Sequence, residues 1–340
     1  MKKSLLALAV FGAFAGVAAA QTNVTIYGVA DVGIAREDNG RQTVTRVDSS
    51  NQSGSRLGFK GTEDLGGGLS AIFTLESGFD ISNGVSSQGG RLFGRQAWVG
   101  LNGGFGSVKL GRQYTPIHLA LDSIDPFATG ITGGWNNTGA GIISLFNPYG
   151  VRMDNAINYS IGMSGFSAQV AYGLGEVAGN NDALRQYGAS LGYANGPLNV
   201  VLAHHNANGG LPAAPALPVI FNSKTTMLGA TYDFNIVKVH GAYAMNKGDA
   251  GLDTRDAMLG LTVPVGAAGA FLIDYIRKTD KNFADSDSAQ AAIGYTHSLS
   301  KRTNLYTSYS RNTNDRFVSR NAVGNGLTDT LFNVGVRHKF

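Results

Sequence analysis

The last ten residues of the chain alternate in character, as a strand with two different faces would. Side chains of a strand point alternately to its opposite faces. One face is mostly apolar and carries Phe332, Val334, Val336, His338 and Phe340. The other is polar or glycine and carries Asn333, Gly335, Arg337 and Lys339. A bare edge of this length would invite pairing with other chains. We therefore expect the terminal strand to close onto the first strand of its own sheet.

Residues 1–20 have the pattern of an export signal. Lys2 and Lys3 precede an apolar or small-residue run of 16 residues, Leu5–Ala20, which ends in an A-x-A cleavage site. The run is short for a membrane-spanning helix, which needs about 20 residues. We therefore expect cleavage before Gln21, leaving residues 21–340 as a single domain.

The remaining composition excludes several classes of protein. Loss of Lys2 and Lys3 leaves 25 of the 27 basic residues against 23 acidic ones, a net charge of about +2 that gives no support to nucleic-acid binding. The chain has no cysteine, so an exported form cannot depend on disulfides. No second run of 18 apolar residues follows the first. In a membrane, only a closed barrel would then satisfy every backbone polar group.

After Gln21, alternating segments of about ten residues are separated in turn by tight turns and by long polar loops. An even number of such strands, with short turns at one rim and long loops at the other, is typical of bacterial outer-membrane barrels. We predict sixteen strands, at 24–36, 55–63, 69–79, 92–102, 107–113, 154–161, 166–173, 185–194, 198–206, 224–234, 237–246, 255–265, 270–278, 288–298, 303–312 and 331–340.

A soluble β-sandwich is the alternative fold for such a pattern. Aromatic residues near the segment ends favour the barrel, because they would form girdles at the two lipid interfaces. They are Tyr159, Tyr172, Tyr187, Tyr193, Tyr232, Tyr243, Tyr275, Tyr295 and Tyr309. The segment 92–102 fits least well, because Val99 and Leu101 share the parity of Arg95. Either a bulge shifts its phase or those apolar residues face a folded-in loop.

Several stretches resemble the Gram-negative general porins, particularly those of β-proteobacteria. They are Val24–Asp31 (VTIYGVAD), Ser55–Leu69 (SRLGFKGTEDLGGGL), Gly94–Leu101 (GRQAWVGL), Gly106–Gln113 (GSVKLGRQ) and the terminal Phe340. Together they span the whole mature chain. The resemblance implies an antiparallel 16-stranded transmembrane β-barrel in the outer membrane, water-filled and homotrimeric. It also implies an inward-folded third loop, which here would run from Tyr114 to about Met153.

The resemblance also implies which residues line the pore constriction. Similar porins place a ladder of basic side chains on the wall, facing acids of the third loop. Carried over to this chain, the ladder would be Arg56, Arg95 and Arg152, and the opposing acids of the loop would be Asp122 and Asp125. Strand parity adds Lys60 and Lys109 to the inward basic residues and Glu76 to the acids of the wall. A transverse field of this kind orders water and sets ion selectivity. The alternative is that each is simply a satisfied polar group of the barrel wall.

The function expected from these features is passive diffusion of ions and small hydrophilic solutes, with a weak anion preference. One alternative is a substrate-specific channel, for which Phe127, Trp135, Phe146 and Tyr149 could form an aromatic slide. An adhesive or structural barrel and an outer-membrane enzyme are further alternatives. Enzyme signatures are poor, since the six histidines show no H-E-x-x-H or other metal-ligand spacing. We expect no catalytic residues, metal or cofactor.

Partners follow from the resemblance alone. Besides the homotrimer, they are outer-membrane lipid and lipopolysaccharide, small ions and hydrophilic solutes, and the barrel assembly machinery. Phe340 would be the terminal aromatic residue of the signal that this machinery reads.

Overall fold

The structure, a computed structural model, describes residues 23–130, 150–209, 222–320 and 322–340. The predicted export segment, 1–20, lies outside these residues and stays a prediction. Most of the described chain is β-strand. The strands are β1 (Asn23–Asp38), β2 (Thr43–Ser49), β3 (Arg56–Gly66), β4 (Leu69–Gly78), β5 (Gln96–Gly103), β6 (Gly106–Tyr114), β7 (Arg152–Met163), β8 (Phe166–Gly173), β9 (Gln186–Asn195), β10 (Leu198–Ala207), β11 (Ser223–Asp233), β12 (Lys238–Gly248), β13 (Asp253–Val265), β14 (Gly269–Asp280), β15 (Ser288–Ser298), β16 (Thr303–Asn314) and β17 (Asp329–Lys339).

Two short helical segments interrupt the loops. The first, α1 (Ser87–Gly90), is a single irregular turn in which Gln88 and Gly89 have positive φ. The second, α2 (Pro116–Asp122), begins after Thr115, whose hydroxyl accepts a hydrogen bond from the backbone N–H of His118. Among the described residues, no helix is long and apolar enough to cross a lipid bilayer.

The strands form one antiparallel sheet that closes on itself. Each strand from β3 to β17 pairs with the next, and β17 pairs with β1 from Val29↔Lys339 to Asp38↔Thr330. Phe340 extends this seam, because its N–H and C=O both bond to the backbone of Gly28. The predicted closure of the terminal strand onto the first is confirmed.

The prediction missed one strand, β2. The first half of β1 pairs with β3 and the second half pairs with β2, so that β2 and β3 occupy the same side of β1. They form one barrel strand interrupted at residues 50–55, and the barrel therefore has sixteen strands as predicted. Two backbone amides of the interruption, those of Gln52 and Ser53, donate to the carboxylate of Asp31 at 3.0 and 2.6 Å.

Alternate residues of each strand are exposed and apolar, and those between them are buried and often polar. On β11, Leu228 is 54% exposed while Thr225 is 3% exposed; on β13, Leu259 is 63% exposed while Asp256 is fully buried. This is the reverse of a soluble domain and fits a barrel with lipid outside. The predicted outer face of the last strand behaves in this way, since Phe332 and Val334 are exposed and Asn333 is buried.

The irregular phase of the segment 92–102 has a different cause from either one expected. Strand β5 begins only at Gln96, so Arg95 lies before the strand and its parity carries no information. Within β5 the alternation is regular, with Val99 and Leu101 exposed on the outer face. Trp98 points to the opposite face, where its ring lies 5.0 Å from the ammonium of Lys109 on β6.

The first part of the predicted third loop packs against the inner wall. Ile117, Leu121 and Ile124 are buried in one cluster with the buried, inward residues of β10–β14. The wall residues of this cluster are Val201, Ala203, Met227, Ala242, Ala244, Met258 and Ile276. Phe127 packs further along, against Leu272 on β14 and Ala292 on β15. Residues 131–149 of the predicted loop lie outside the described residues.

Glycines of the wall make room for this segment. A Cβ added to Gly229, Gly260 or Gly294 would come within 2.9 Å of Ile124, Pro126 or Phe127, respectively. These glycines lie on β11, β13 and β15. Every second strand therefore lacks a side chain at the position where the loop passes. The end of the described segment reaches the interruption between β2 and β3, where a Cβ on Gly130 would overlap the carbonyl of Gln52.

Asp125 stabilises the bend of this segment from beneath. Its carboxylate accepts the backbone N–H groups of Phe127 at 2.9 Å and of Thr129 at 2.7 Å, and the residue is 5% exposed. The pKa of Asp125 is raised to about 7, chiefly by burial and to a smaller extent by the nearby Asp122, while the two N–H groups act against the rise. Asp274 of β14 is a second carboxylate close to it, and it is also buried. The buried Asp125 carboxyl group is therefore part of how the loop docks.

Asp125 should make the protein less stable as the pH rises. In the unfolded chain the carboxyl ionises near its ordinary pKa of 3.8, but in the folded protein only near 7. Between those values the folded state holds a proton that the unfolded state has lost, which lowers the free energy of unfolding by roughly 1.4 kcal/mol per pH unit. We expect the melting temperature to fall from about pH 4.5 to about pH 7.5, and less so in Asp125→Asn. Equal pH dependence in both proteins would show that Asp125 is ionised throughout.

Candidate pore constriction

Tyr114, at the end of β6, brings two of the predicted ladder arginines together. Its hydroxyl oxygen accepts hydrogen bonds from Arg95 Nη2 at 2.6 Å and from Arg152 Nη2 at 3.1 Å. The guanidinium of Arg152 also lies 4.6 Å from the centre of the Tyr114 ring, and its Nε donates to the Arg95 carbonyl at 2.9 Å. These contacts fix two long side chains on one side of the lumen. Arg56 is an electrostatic neighbour of Arg95 and is held through a 2.9 Å bond from its Nε to the Gly54 carbonyl.

Glu76 lies on β4, on the same wall as the ladder. Its two carboxylate oxygens accept hydrogen bonds from Arg95 Nε and from the Tyr27 hydroxyl, each at 2.9 Å. The side chain is 3% exposed, so the ion pair with Arg95 is buried. The reason is the register of β3, β4 and β5, which sets Glu76 opposite Gly58 and Gln96. Glu76 therefore orients Arg95 and offsets one of the positive charges.

The two predicted lysines continue the basic wall toward the short-turn rim. The Lys60 ammonium lies 5.3 Å from the ring centre of Tyr27, and that of Lys109 lies 5.0 Å from Trp98. A cation over an aromatic face is attracted by the ring quadrupole. The five predicted basic residues are thus distributed along one side of the barrel, between β3 and β7.

Two further cations belong to this wall and were missing from the predicted ladder. Arg337 and Lys339 on β17 are electrostatic neighbours of Arg56. Arg337 donates from Nε to Asn304 at 3.0 Å and from Nη1 to Ser53 Oγ at 3.4 Å. The signal was present in the sequence, because both residues lie on the polar face of the terminal strand. What the predicted closure did not give is the register across β1 that brings the two side chains close to Arg56 on β3.

The structure separates the two predicted acids of the loop. Asp122 is exposed; its carboxylate accepts a hydrogen bond from Thr129 Oγ1 at 3.0 Å. Arg56 lies close enough to lower the pKa of Asp122, although partial burial raises it more. Asp125 instead points under the loop and bonds to backbone N–H groups. Asp122 ends the helix and Asp125 lies three residues later, in the bend that follows. This separation turns Asp122 toward the lumen and Asp125 toward the wall.

His118 packs against the ladder without adding charge to it. Its ring stacks on Tyr114 with centres 5.0 Å apart, and it is 7% exposed. Burial, together with the positive charges of Arg152 and Arg95, lowers the pKa of His118 to about 3. The imidazole is therefore neutral at physiological pH. In the described part of the chain, no group of three or more His, Cys, Asp or Glu side chains is arranged to hold a metal ion.

The described geometry places fixed cations on one wall and an apolar loop contact on the facing wall. The arginines are charged at any physiological pH. Aromatic partners and the buried Glu76 hold them in place, while the wall from β10 to β15 carries the packed segment 116–130. The lumen beside the loop is therefore electrically asymmetric.

Comparisons with known proteins agree with this architecture. The sequence model of a family described as Gram-negative porin matches residues 6–316. An outer membrane porin protein of Delftia acidovorans is 37% identical over 365 residues, and one of Bordetella pertussis is 34% identical over 398 residues. Each alignment covers all of both chains.

Solved structures have the same fold. An anion-selective porin from Comamonas acidovorans is 31% identical, with a TM-score of 0.79, and the match covers 94% of this chain and 100% of that one. The trimer form of OmpT from Vibrio cholerae is 14% identical, with a TM-score of 0.68, over 94% of this chain and 99% of that one. The family match spans most of the sequence, and the relatives align along its whole length. The chain belongs to the Gram-negative porin family.

Proposed function

We propose that the protein is a general diffusion porin of the outer membrane, passing ions and small hydrophilic solutes with a weak preference for anions. The observation that carries the proposal is the gathering of Arg56, Arg95 and Arg152 on one wall beside the docked loop segment. The anion-selective porin from Comamonas acidovorans, 31% identical to this chain, supports the sign of the preference.

The basic wall would act on ions through its field. Charged rings and fixed dipoles along a pore set which ions enter it. Arg337 and Lys339 add to the wall, and Glu76 subtracts from it, so its sum is positive. Asp122, exposed on the loop segment, gives the field a transverse component. Anions would follow the arginine side and cations the side of the loop. Screening over about 8 Å at physiological salt keeps the preference weak.

Membership of the porin family supports channel activity. That the protein catalyses no reaction is part of the proposal. A substrate-specific channel was the alternative, with four aromatic residues as a slide for the substrate. Phe127 cannot be one of them, because it is 2% exposed and packs on the wall. Trp135, Phe146 and Tyr149 lie outside the described residues.

We also propose a homotrimer, exported with cleavage of residues 1–20 and inserted by the barrel assembly machinery. The trimer form of OmpT shares the fold of this chain and supports the oligomer. Phe340 suits a role in assembly, because it ends the closing seam with its ring 47% exposed.

Loss of two ladder arginines should reduce the anion preference. A unit charge about 4 Å from an ion is worth about 1 kcal/mol in water, or up to about fivefold in local ion concentration for each arginine removed. Arg56→Gln with Arg152→Gln leaves the buried Arg95–Glu76 pair intact. We expect the zero-current potential in planar bilayers under a potassium chloride gradient to shift toward cation preference.

The control for this experiment removes the same charge elsewhere. Lys301→Gln with Arg302→Gln alters exposed cations of the turn between β15 and β16. It should leave the potential close to that of the parent protein. A clear cation preference in the parent protein, or equal shifts in the two double variants, would contradict the proposal.

Deletion of Phe340 should impair insertion before it alters conduction. The deletion removes the two backbone hydrogen bonds to Gly28 and the terminal aromatic ring. We expect less folded protein in the outer membrane, measured as the fraction that resists heat-induced unfolding on gels, with unchanged single-channel conductance for the protein that does insert. Phe340→Tyr keeps the ring and the backbone bonds and should insert normally. Normal insertion of the deleted chain would refute the assembly role.

A further inference from the structure

A cavity of about 540 Å³ lies at the long-loop rim, between the loop that follows β14 and the loop that follows β16. Its lining includes Asp280, Phe283, Phe317, Val318 and Arg320. Phe283 and Phe317 are 54% and 56% exposed, although they lie at the aqueous end of the barrel. Apolar side chains left exposed in a concave site are typical of a binding surface, and small-molecule sites have volumes of roughly 300–1,000 Å³. The cavity is therefore large enough for a small solute.

Hydrogen bonds fix the two loops that form the cavity. The backbone N–H of Phe317 donates to the carbonyl of Asp285 at 2.9 Å, which joins one loop to the other. Within the first loop, Asp280 Oδ1 accepts the backbone N–H of Phe283 at 3.0 Å. A site whose walls are held in this way loses less binding free energy to ordering when a ligand arrives.

The cavity lies over the inward face of the barrel. Asp280 ends β14 and has the same parity as Lys278, which is 1% exposed on the inward face of that strand. The carbonyl of Arg320 accepts the side-chain amide of Asn312 at 2.9 Å, and Asn312 is 3% exposed on the inward face of β16. A solute that enters the lumen from the long-loop rim therefore passes this site.

Two opposite charges line the cavity without forming an ion pair with each other. Arg320 and Asp280 are electrostatic neighbours. Among the described residues, Arg320 Nε has no hydrogen-bond partner, and Asp280 Oδ2 accepts no hydrogen bond. The other acid close to Arg320 is Asp256, whose charge is taken up by Lys278 at 2.7 Å. A ligand that carries a cation and an anion a few atoms apart would bridge the gap between Arg320 and Asp280.

We propose that this cavity binds a small zwitterion with an aromatic side chain, a free aromatic amino acid. The α-carboxylate accepts hydrogen bonds from the Arg320 guanidinium, whose planar N–H donors suit a carboxylate. The α-ammonium donates to Asp280 Oδ2. The aromatic ring packs against Phe283 and Phe317, which removes exposed apolar surface from water. The site holds the solute at the rim of the barrel, apart from the arginines of the constriction. Its use as an entry site rests on the proposed channel function, whereas the binding itself does not.

The test measures binding to the purified full-length protein in detergent by ligand-observed NMR titration. The probes are L-phenylalanine, hydrocinnamate, phenethylamine and L-alanine. Hydrocinnamate lacks the ammonium, phenethylamine lacks the carboxylate and L-alanine lacks the ring. We expect L-phenylalanine to bind about tenfold or more tightly than each of the other three, because each of them leaves one part of the site without its partner.

Two variants assign the charges to their residues. Arg320→Gln should bind L-phenylalanine no better than phenethylamine, and Asp280→Asn should bind it no better than hydrocinnamate. Asp280→Asn keeps Oδ1 as an acceptor for the loop, so a loss of folding does not account for that result. The matched controls are Lys281→Gln and Asp285→Asn, which remove the same charges from exposed residues of the same loop outside the cavity lining. Both controls should bind all four probes as the parent protein does.

Three results would overturn the proposal. They are equal affinity of the parent protein for L-phenylalanine and hydrocinnamate, unchanged discrimination in Arg320→Gln or Asp280→Asn, and equal losses in these variants and in their controls. None of these measurements involves ion flow. Failure of the rim site would therefore leave the proposed channel function untouched, and failure of the channel function would leave the binding result as it stands.

Discussion

The pairing of β1 with β17 is the constraint on which the rest of this molecule depends. A sheet in lipid cannot leave backbone N–H and C=O groups unpaired, because no water is available to replace the missing partner. Ten residues of each strand meet at this seam, and Phe340 extends it to Gly28. Once the sheet is closed, the backbone supplies cohesion that a soluble domain must draw from its apolar core. The interior is then free to hold charged and polar side chains such as Asp31, Asn333 and Asp256, all fully buried.

That freedom is used differently on the two sides of the lumen. From β10 to β15 the wall carries small or apolar inward residues, and glycines on β11, β13 and β15 let Ile124, Pro126 and Phe127 approach the backbone. From β3 to β7 the wall carries cations held by Tyr27, Trp98 and Tyr114. The bend of the loop therefore docks on small and apolar wall residues, with Asp274 as a buried acid beside it, and the side of the lumen left open is the basic one. The position of the loop and the sign of the field follow from one asymmetry.

Strand number and facing could be predicted from the sequence because alternation is a local property that a closed barrel enforces in every strand. The prediction fails where the chain leaves this pattern. Strand β2 was missed because Thr43–Ser49 resembles a polar loop beside β1, and the phase at Arg95 failed because the strand begins one residue later. Arg337 was missing from the predicted ladder, and the pairing of Glu76 with Arg95 was not foreseen, for another reason. The alternation of side chains predicts that both residues point into the barrel. Their neighbours, however, depend on the register between strands that are distant in sequence. Asp122 and Asp125 differ only through a bend that no periodicity describes.

The same residue types behave differently on the two faces of this barrel because their surroundings neutralise them differently. Inside, Arg95 has Glu76 and Tyr114 as partners, so its charge is held in one place and contributes a steady field. Outside, Lys224 and Lys247 face each other above an apolar band, and the acid that an ion pair joins to them is Asp253, 3.9 Å from the Lys247 ammonium. An inward cation with buried partners keeps one position, and ions can pass it without being retained. The outward pair has no comparable buried partner among the described residues, so its charges are left to the exposed surface of the barrel.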